Sequence, residues 1–378
     1  MENLGTRGTG LKVVHLISGG DSGGAKTHVL SLLQELNSTD PTPLLCLGDG
    51  PLAQGARAAG LPCTVLPGGF FAALTQGSRL IRSSGADLLH CHGSRANLTG
   101  ALLKKRLHIK VISTVHSDHT LDYMGRPLAG RTYGALNAWA LRRMDALICV
   151  SDAMAALYRQ RGFPRVYSIY NGVDFTAPLS QTPREVWLER HRIPVSPGDI
   201  LVGTAARLEP VKDLKTMLRG FAAGLERDGR LRLIVAGTGS QADALRALAE
   251  ELQIAQRVHF PGWVEDTEGF FAALDIAALT SLSETFPYAL TTAARYSIPV
   301  VSTPVGGIPA LVEDGVTGFL FPVGDADTLG RTLARLAGDE VLRRTMGGAL
   351  RAKGLEHFSL SAMGARQQEI YEDLLTGQ

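Results

Sequence analysis

The chain has 378 residues, 45% of them hydrophobic and 20% charged, which is typical of a globular protein with a full core and predicts two domains. Its net charge is +2, although residues 1–180 carry 18 Lys and Arg against 11 Asp and Glu and the remainder carries 20 against 25. No basic stripe with interleaved aromatic residues points to nucleic acid, no apolar run reaches the roughly 18 residues of a membrane span, and residues 1–10 lack the apolar stretch of a signal peptide.

The first half of the chain alternates short apolar runs with helical patterns. A strand is predicted over residues 11–18, followed by a Gly-rich turn and a helix from about Lys26 to Leu36. Further strands are predicted over residues 44–47, 63–66, 88–90, 111–115 and 146–150. Strands separated by helices indicate a parallel sheet covered on both faces.

A second series of strands follows a turn at Asn171-Gly172-Val173-Asp174 and a polar, Pro-containing segment over residues 178–197. These strands are predicted over residues 200–205, 231–236, 258–260, 276–279 and 299–302. We therefore expect a first domain over residues 11–177, a second over 198–358 and a final segment over 359–378. Two doubly wound Rossmann-like domains would face a cleft, with ligands beyond the carboxyl ends of the strands.

All four cysteines lie in the first half without CxxC spacing, and we interpret them as reduced thiols in a cytoplasmic protein. They are Cys46, Cys63, Cys91 and Cys149.

The turn after the first strand reads GGDSGGAKT over residues 19–27 and contains Gly23 and Gly24. Glycines between a strand and a helix let backbone N–H groups approach a phosphate. The segment also misses a nucleoside-triphosphatase P-loop by one residue, since Ala25 stands where that motif has Gly. A flexible turn without a ligand is the third interpretation.

Histidines follow or end two of the predicted strands. His116 follows the fifth strand, where its ring can hydrogen-bond a sugar hydroxyl, and a surface histidine is the equal alternative. His90, Cys91 and His92 look like metal ligands, but alternation places His90 and His92 on one face without a third ligand. We interpret them as structural histidines.

Two cations follow the first strand of the second domain, at Arg207 and Lys212. A guanidinium fork and an ammonium on one loop can both reach a diphosphate and stabilise the charge on a departing nucleotide. Ordinary surface charge is the alternative.

Glu284 lies just before a helix predicted from Pro287 to about Arg295. A carboxylate beside a helix N-terminus is suited to holding sugar hydroxyls next to their phosphates. The alternative is a helix-dipole glutamate worth about 0.3–1 kcal/mol.

Together these residues resemble glycosyltransferase family 4, of the GT-B fold, from about residue 11 to 375. The matching positions are Gly23-Gly24, Thr114-x-His116, Asn171-Gly172-Val173-Asp174, Arg207 with Lys212, Gly237-Thr238-Gly239, Phe260-Pro261-Gly262, Ser283-Glu284-x-Phe286, Val305-Gly306-Gly307-Ile308-Pro309 and Asp314-Gly315-x-x-Gly318-Phe319-Leu320. The order and spacing of the late motifs carry the specificity.

The resemblance implies a retaining hexosyltransferase of cell-envelope or polysaccharide biosynthesis that uses a UDP- or GDP-sugar and no cofactor. It implies that Arg207 and Lys212 hold the diphosphate, Glu284 contacts the donor sugar and His116 the transferred sugar. It further assigns Gly23, Gly24, Gly237, Gly262 and Phe286 to substrate binding and a turn over residues 260–262 to the base pocket. The final helix would cross back to the first domain.

The sequence departs from the family pattern at Thr292, where the resemblance implies a second Glu on the nucleotide ribose. A hydroxyl replaces only part of what a carboxylate accepts. Ala310 is a second departure. Asp325-Ala326-Asp327 resembles a metal-binding DxD motif, but we interpret it as a solvated turn and expect no metal requirement.

Three alternatives stay open: a sugar-nucleotide isomerase on the same fold, a P-loop nucleotidase, and a non-catalytic nucleotide-binding relative. The acceptor is a glycan, a lipid-linked sugar or a small molecule. A basic segment just before the fifth strand, at Lys104, Lys105, Arg106 and Lys110, is either a solvated helix end or a weak docking patch on the inner face of an anionic membrane.

Overall fold

The computed structural model describes residues 11–20, 23–38, 41–66, 68–116 and 133–376, with side chains at all of these except 69–72. Residues 1–10 and the turn residues Asp21 and Ser22 lie outside the described part. The chain divides into two compact units: the first runs to Gly172 and resumes at Leu360, and the second is Val173–Ser359.

In the first unit, a parallel sheet has the strand order β3-β2-β1-β4-β5-β6-β7. Its strands are β1 (Val13–Ile17), β2 (Leu44–Cys46), β3 (Cys63–Val65), β4 (Leu88–His92), β5 (Lys110–Val115), β6 (Ala146–Cys149) and β7 (Val166–Ser168). Its helices are α1 (Gly24–Asn37), α2 (Pro51–Ala58), α3 (Gly69–Ser84), α4 (Ser94–Leu107), α5 (Ala135–Leu141), α6 (Asp152–Gln160) and, after the second unit, α15 (Leu360–Thr376).

Both faces of this sheet are covered, which explains why β1, β4 and β5 are buried along almost their whole length. On one face, Leu32 of α1 and Ile370 of α15 pack against Val13. On the other, Ile81 of α3 and Leu103 of α4 belong to a second cluster with Val14, Leu16 and Leu89.

In the second unit, a parallel sheet has the order β10-β9-β8-β11-β12-β13. Its strands are β8 (Ile200–Ala205), β9 (Leu231–Ala236), β10 (Val258–Gly262), β11 (Ile276–Leu279), β12 (Val300–Ser302) and β13 (Gly318–Leu320). Its helices are α7 (Arg184–Arg190), α8 (Leu214–Arg227), α9 (Ala242–Glu251), α10 (Thr267–Ala272), α11 (Tyr288–Arg295), α12 (Ile308–Leu311), α13 (Ala326–Gly338) and α14 (Glu340–His357).

Each sheet has a topological switch point, between β1 and β4 in the first unit and between β8 and β11 in the second. Chain connections leave in opposite directions there and open a crevice at the carboxyl edge. The candidate residues follow these strands and their neighbours. No described helix has both the length and the apolarity to cross a membrane.

We expected residues 178–197 to lie between the two domains. The structure instead places this segment in the second unit. It contains α7, whose Trp187 is fully buried against Phe270, and whose Arg184 pairs with Asp275 at 2.8 Å. The unit boundary therefore lies before Val173, ahead of the predicted end at residue 177. Strands β7 and β13, of three residues each, were not predicted.

Candidate functional site

In the second unit, the loops after β8 and β11 bring Lys212 and Glu284 together. The Lys212 ammonium lies 2.5 Å from the Glu284 carboxylate, and their side chains are only 17% and 10% exposed. Ser281 donates a second hydrogen bond to the same carboxylate at 2.6 Å. The two residues are 72 positions apart in sequence, and they form one ion pair at the switch point.

Arg207 lies on the same loop as Lys212, but its side chain is exposed. Within the part of the chain that the structure describes, its guanidinium has no ion-pair partner. The loop itself is fixed, because Leu208 N donates to Thr238 O at 2.9 Å and Ser240 donates to Glu209 through its backbone N–H and its hydroxyl. The two predicted diphosphate ligands therefore differ: one cation is paired and half-buried, and the other is available.

Two glycines allow these loops to approach closely. A Cβ at Gly237, whose φ is 134°, would lie 1.9 Å from Ala206 O, and a Cβ at Gly306, whose φ is 59°, would lie 1.8 Å from Glu284 O. Any L side chain would clash with backbone there and would also need an unfavourable φ. Gly237 N donates to Gly262 O at 2.7 Å, so two of the predicted substrate-binding glycines are adjacent.

Helix α11 begins at Tyr288, and Pro287 precedes it as the N-cap rather than occupying the first helical position. The ring of Phe286, a residue predicted to bind substrate, is 2% exposed and stacks on Phe358 at 5.1 Å in the core of the second unit. Thr292 lies on α11, half-buried, and its hydroxyl donates to Tyr288 O at 2.9 Å.

Trp263 was missed by the sequence analysis. Its side chain is 72% exposed. It directly follows residues 260–262, which were predicted to be a turn lining the base pocket and instead form the end of β10. An exposed indole is unusual because it leaves a large apolar surface in water. The available signal was a Trp directly after the Phe260-Pro261-Gly262 motif.

In the first unit, Gly23 is the N-cap of α1 and Gly24 is its first residue. The first turn of α1 contains no acidic side chain, and the N-terminus of a helix favours a negatively charged group. His28 lies one turn further along, and its Nδ1–H donates a hydrogen bond to Asn171 Oδ1 at 3.0 Å.

A group of histidines lies at the switch point of the first unit: His15, His28, His90 and His92, which are buried, and His116, which is half-buried. His15 of β1 is paired with His90 of β4 by strand register, and His92 is paired with Thr114 of β5. Their rings lie close together, with centroids 4.3 Å apart for His90 and His92 and 4.9 Å for His28 and His116. We call these five residues the histidine cluster.

The histidine cluster is neutral at pH 7. Burial lowers the pKa of His15 to about 3 and that of His28 to about 4. Burial also holds the pKa of His90, His92 and His116 well below the ordinary imidazole value, and neighbouring histidines add to this effect. The cause is desolvation, which disfavours the charged form.

His15, His90 and His92 are the described residues that could hold a metal ion, because their ligand atoms lie within 4.8 Å of one another. The prediction that His90 and His92 lack a third imidazole is therefore wrong, since β1 supplies His15. Both nitrogens of each ring already have hydrogen-bond partners within this unit.

The predicted turn at Asp325-Ala326-Asp327 is also corrected, because it begins helix α13. Asp325 caps this helix by accepting from Thr328 N at 2.9 Å, and Asp327 pairs with Arg227 and Arg331. Both carboxylates have structural partners.

The basic segment lies at the opposite edge of the first sheet from the histidine cluster. Lys110 begins β5, so at about 3.3 Å per residue it lies roughly 16 Å from Val115 at the other end. Lys104 pairs with Asp145 at 2.8 Å, whereas Lys105, Arg106 and Lys110 are exposed. A groove at this edge is lined by Lys104, Lys105 and Lys110 together with Arg142 and Arg143.

Two doubly wound parallel sheets in one chain match the GT-B fold. The family model described as Glycosyltransferase Family 4 matches residues 22–177, and the model described as Glycosyl transferases group 1 matches residues 185–353. The chain belongs to glycosyltransferase family 4. This assignment leaves the P-loop alternative without support.

Several named proteins are similar to this chain over most of its length. The D-inositol 3-phosphate glycosyltransferase of Corynebacterium glutamicum is 31% identical over 315 residues, which cover 77% of this chain and 73% of that one. The N-acetyl-alpha-D-glucosaminyl L-malate synthase of Bacillus anthracis is 26% identical over 299 residues, covering 76% and 75%. The crystal structure of Anabaena HepE in complex with UDP superposes with a TM-score of 0.81 at 20% identity, covering 96% of this chain and 100% of that one.

Proposed function

We propose that this glycosyltransferase transfers a hexose from a UDP- or GDP-sugar with retention of anomeric configuration. The observation that carries the proposal is the exposed Arg207 beside the Lys212–Glu284 ion pair at the carboxyl edge of the second sheet. This arrangement supplies two cations and one carboxylate at a switch point, which suits a sugar attached to a diphosphate. The presence of UDP in a HepE crystal is consistent with it.

Catalysis in this proposal is electrostatic. Arg207 and Lys212 stabilise the negative charge that develops on the departing nucleotide diphosphate. Because these cations can neutralise the diphosphate, the proposal includes no metal ion. Glu284 orients Lys212 through their ion pair and accepts a hydrogen bond from a donor-sugar hydroxyl. The leaving phosphate takes the proton of the acceptor hydroxyl.

On the first unit, the proposal assigns His116 to the transferred sugar and the amides near Gly23 and Gly24 to phosphate. Gly237, Gly262 and Trp263 belong to the base side of the nucleotide, where an exposed indole offers a stacking surface. Thr292 would face the ribose with a hydroxyl oxygen that can still accept a hydrogen bond.

The names of the relatives indicate only that the acceptor is a compound with a hydroxyl group. Two of them are named for D-inositol 3-phosphate and L-malate, which are small and anionic. A small anionic acceptor is therefore an alternative to the glycan or lipid-linked acceptor of a cell-envelope pathway. For the lipid-linked case we propose a weak peripheral membrane contact through Lys105, Arg106 and Lys110, on the cytoplasmic face.

A donor screen tests the proposal. Thermal unfolding is measured with UDP-, GDP- and ADP-sugars, each with and without EDTA, because a ligand that binds only the folded state raises the midpoint. We expect one UDP- or GDP-sugar to stabilise the protein equally in both buffers, and NMR of the product to show retention. Turnover of donor alone to an isomer would indicate an isomerase, and binding without turnover a non-catalytic relative; either result would refute the proposal.

A further inference from the structure

An unbroken series of hydrogen bonds runs through the buried face of the first unit. His116 Nε2 lies 3.4 Å from His92 Nδ1, and His92 Nε2 lies 3.0 Å from His15 Nδ1. His15 Nε2 lies 3.0 Å from the Tyr371 hydroxyl, which lies 2.7 Å from His90 Nδ1. The series ends with His90 Nε2, 2.7 Å from the Thr114 hydroxyl. We call these six residues the relay.

In the relay, the nitrogen that carries the proton in one ring determines which nitrogen carries it in the next ring. A neutral imidazole carries one N–H, so one of its nitrogens donates and the other accepts. The rings of His92, His15 and His90 are each hydrogen-bonded to one neighbour in the relay through Nδ1 and to the other through Nε2. All four imidazoles must therefore have the same tautomer, either Nδ1–H throughout or Nε2–H throughout.

The hydroxyl of Thr114 determines which of these two tautomers the rings have. If the rings carry Nε2–H, His90 donates to Thr114, and the Thr114 hydroxyl proton must find another acceptor. Thr114 is 1% exposed, and in the described ranges its hydroxyl has His90 as its only hydrogen-bond partner. An unpaired buried donor is costly, so the order in which Thr114 donates to His90 is favoured. The remaining protons follow as Nδ1–H.

We infer that the relay fixes His116 as the Nδ1–H tautomer, so that the nitrogen not used in the relay offers a proton rather than a lone pair. His116 Nδ1 has no hydrogen-bond partner among the described residues, and the side chain is half-buried. Such a donor is suited to an oxygen of the sugar or its phosphate. Tyr371, His15 and His92 are then positioning residues. The effect on turnover rests on the proposed contact of His116 with substrate, whereas the tautomer order does not.

The direct test is NMR of the full-length protein with ¹⁵N-labelled histidine at pH 7. Long-range ¹H–¹⁵N correlation distinguishes the two tautomers, and single His→Gln variants assign the signals. We expect Nδ1–H at His15, His90, His92 and His116. Mixed tautomers, a uniform Nε2–H pattern, or signals that shift on addition of one equivalent of Zn²⁺ would overturn the inference, the last because a metal site would replace the relay.

The second test is Tyr371→Phe, which keeps the ring and removes the central hydroxyl. We expect kcat to fall about tenfold with donor affinity unchanged, the cost of one weakened hydrogen bond in the transition state. Tyr167→Phe is the matched control, because Tyr167 bonds to Asp373 on the same helix α15 but lies outside the relay. Unchanged kcat in Tyr371→Phe, or an equal loss in both variants, would refute the positioning role. If His116→Ala is fully active while the tautomers are uniform, the proposed substrate contact fails and the proton order stands.

Discussion

The two units have related sheets but different chemistry at their switch points. The first unit gathers neutral imidazoles on β1 and β4, on α1 and just beyond β5, and most of the cluster is less than 2% exposed. The second unit places charged side chains on loops, where Arg207 is exposed and Lys212 is paired with Glu284. The first arrangement offers hydrogen bonds of fixed direction, and the second offers charge.

This difference follows from where the polar residues lie along each strand. Side chains within a strand of a doubly covered sheet are buried, and a buried polar group must find partners inside the protein. Residues beyond the strand end can keep their charge in water. Substitutions should therefore act on electrostatics in the second unit and on hydrogen-bond order and pH sensitivity in the first.

The largest expected effect is that of Arg207→Ala on turnover. Among the described residues the exposed guanidinium has no ion-pair partner to lose, so stability should be unchanged while kcat falls by about 10²-fold, the scale of one lost transition-state donor. Steady-state kinetics and thermal unfolding together check this. Arg344→Ala, at a cation on the exposed side of α14, is the control. Near-normal kcat in Arg207→Ala would remove the diphosphate assignment.

Glu284→Gln should reduce transfer at least tenfold, because a charge-assisted hydrogen bond to the sugar becomes a neutral one. Nucleotide affinity should be unchanged or tighter, since the Lys212 ammonium is no longer neutralised by its partner. Titration with the matching nucleoside diphosphate separates the two quantities. Glu313→Gln, which alters an exposed pair with Lys353, serves as a control. Equal losses in transfer and nucleotide affinity would contradict the sugar contact.

Trp263→Ala should weaken nucleotide binding by about 1–3 kcal/mol, the range measured for loss of a base-stacking aromatic side chain. Trp263→Phe should recover much of the affinity. Calorimetric titration measures both variants against the wild type. If neither substitution changes affinity, the exposed indole lies outside the base pocket.

Acidification should destabilise the first unit more than the second. Between pH 6.5 and about 4 the unfolded histidines bind protons that the buried ones do not, so stability falls as pH falls, by about 1.4 kcal/mol per pH unit for each fully buried histidine. In the second unit burial also lowers the pKa of His259, to about 4, and that of His191, which predicts a smaller loss there.

Hydrogen exchange at pH 7.0 and 5.5, corrected for intrinsic rates, locates this loss. Peptides from β1, β4 and α1 should lose protection first. Equal loss in both units, or none in either, would show that the histidine cluster does not control acid stability.

The sequence predicted the elements that have long apolar patterns, such as β8 and β9, and the order of the loops that follow them. It could not predict contacts that depend on strand register or on distant loops. Alternation along β4 identified His90 and His92 as neighbours, but only the pairing of β1 with β4 adds His15. Likewise, the spacing of Arg207 and Lys212 suggested two equivalent cations, whereas the fold pairs one of them with Glu284. The family pattern also identified Phe286, but only the fold shows that its ring packs on Phe358.

The smallest expected effect concerns the basic segment of the first unit. Lys104 is held by Asp145, which leaves Lys105, Arg106 and Lys110 for an external anion. Near an anionic membrane each contributes about 1 kcal/mol, so the three together support only loose binding, which salt should abolish as the Debye length shrinks.

Replacing these three residues by Gln should remove co-sedimentation with vesicles containing anionic lipid at low salt. A variant with Gln at Lys215, Arg219 and Arg344, exposed cations of the second unit, has the same net charge and should sediment like the wild type. If both variants lose binding equally, net charge rather than this segment attracts the membrane. If the wild type stays in the supernatant at low salt, there is no membrane contact, and a small soluble acceptor becomes the better assignment.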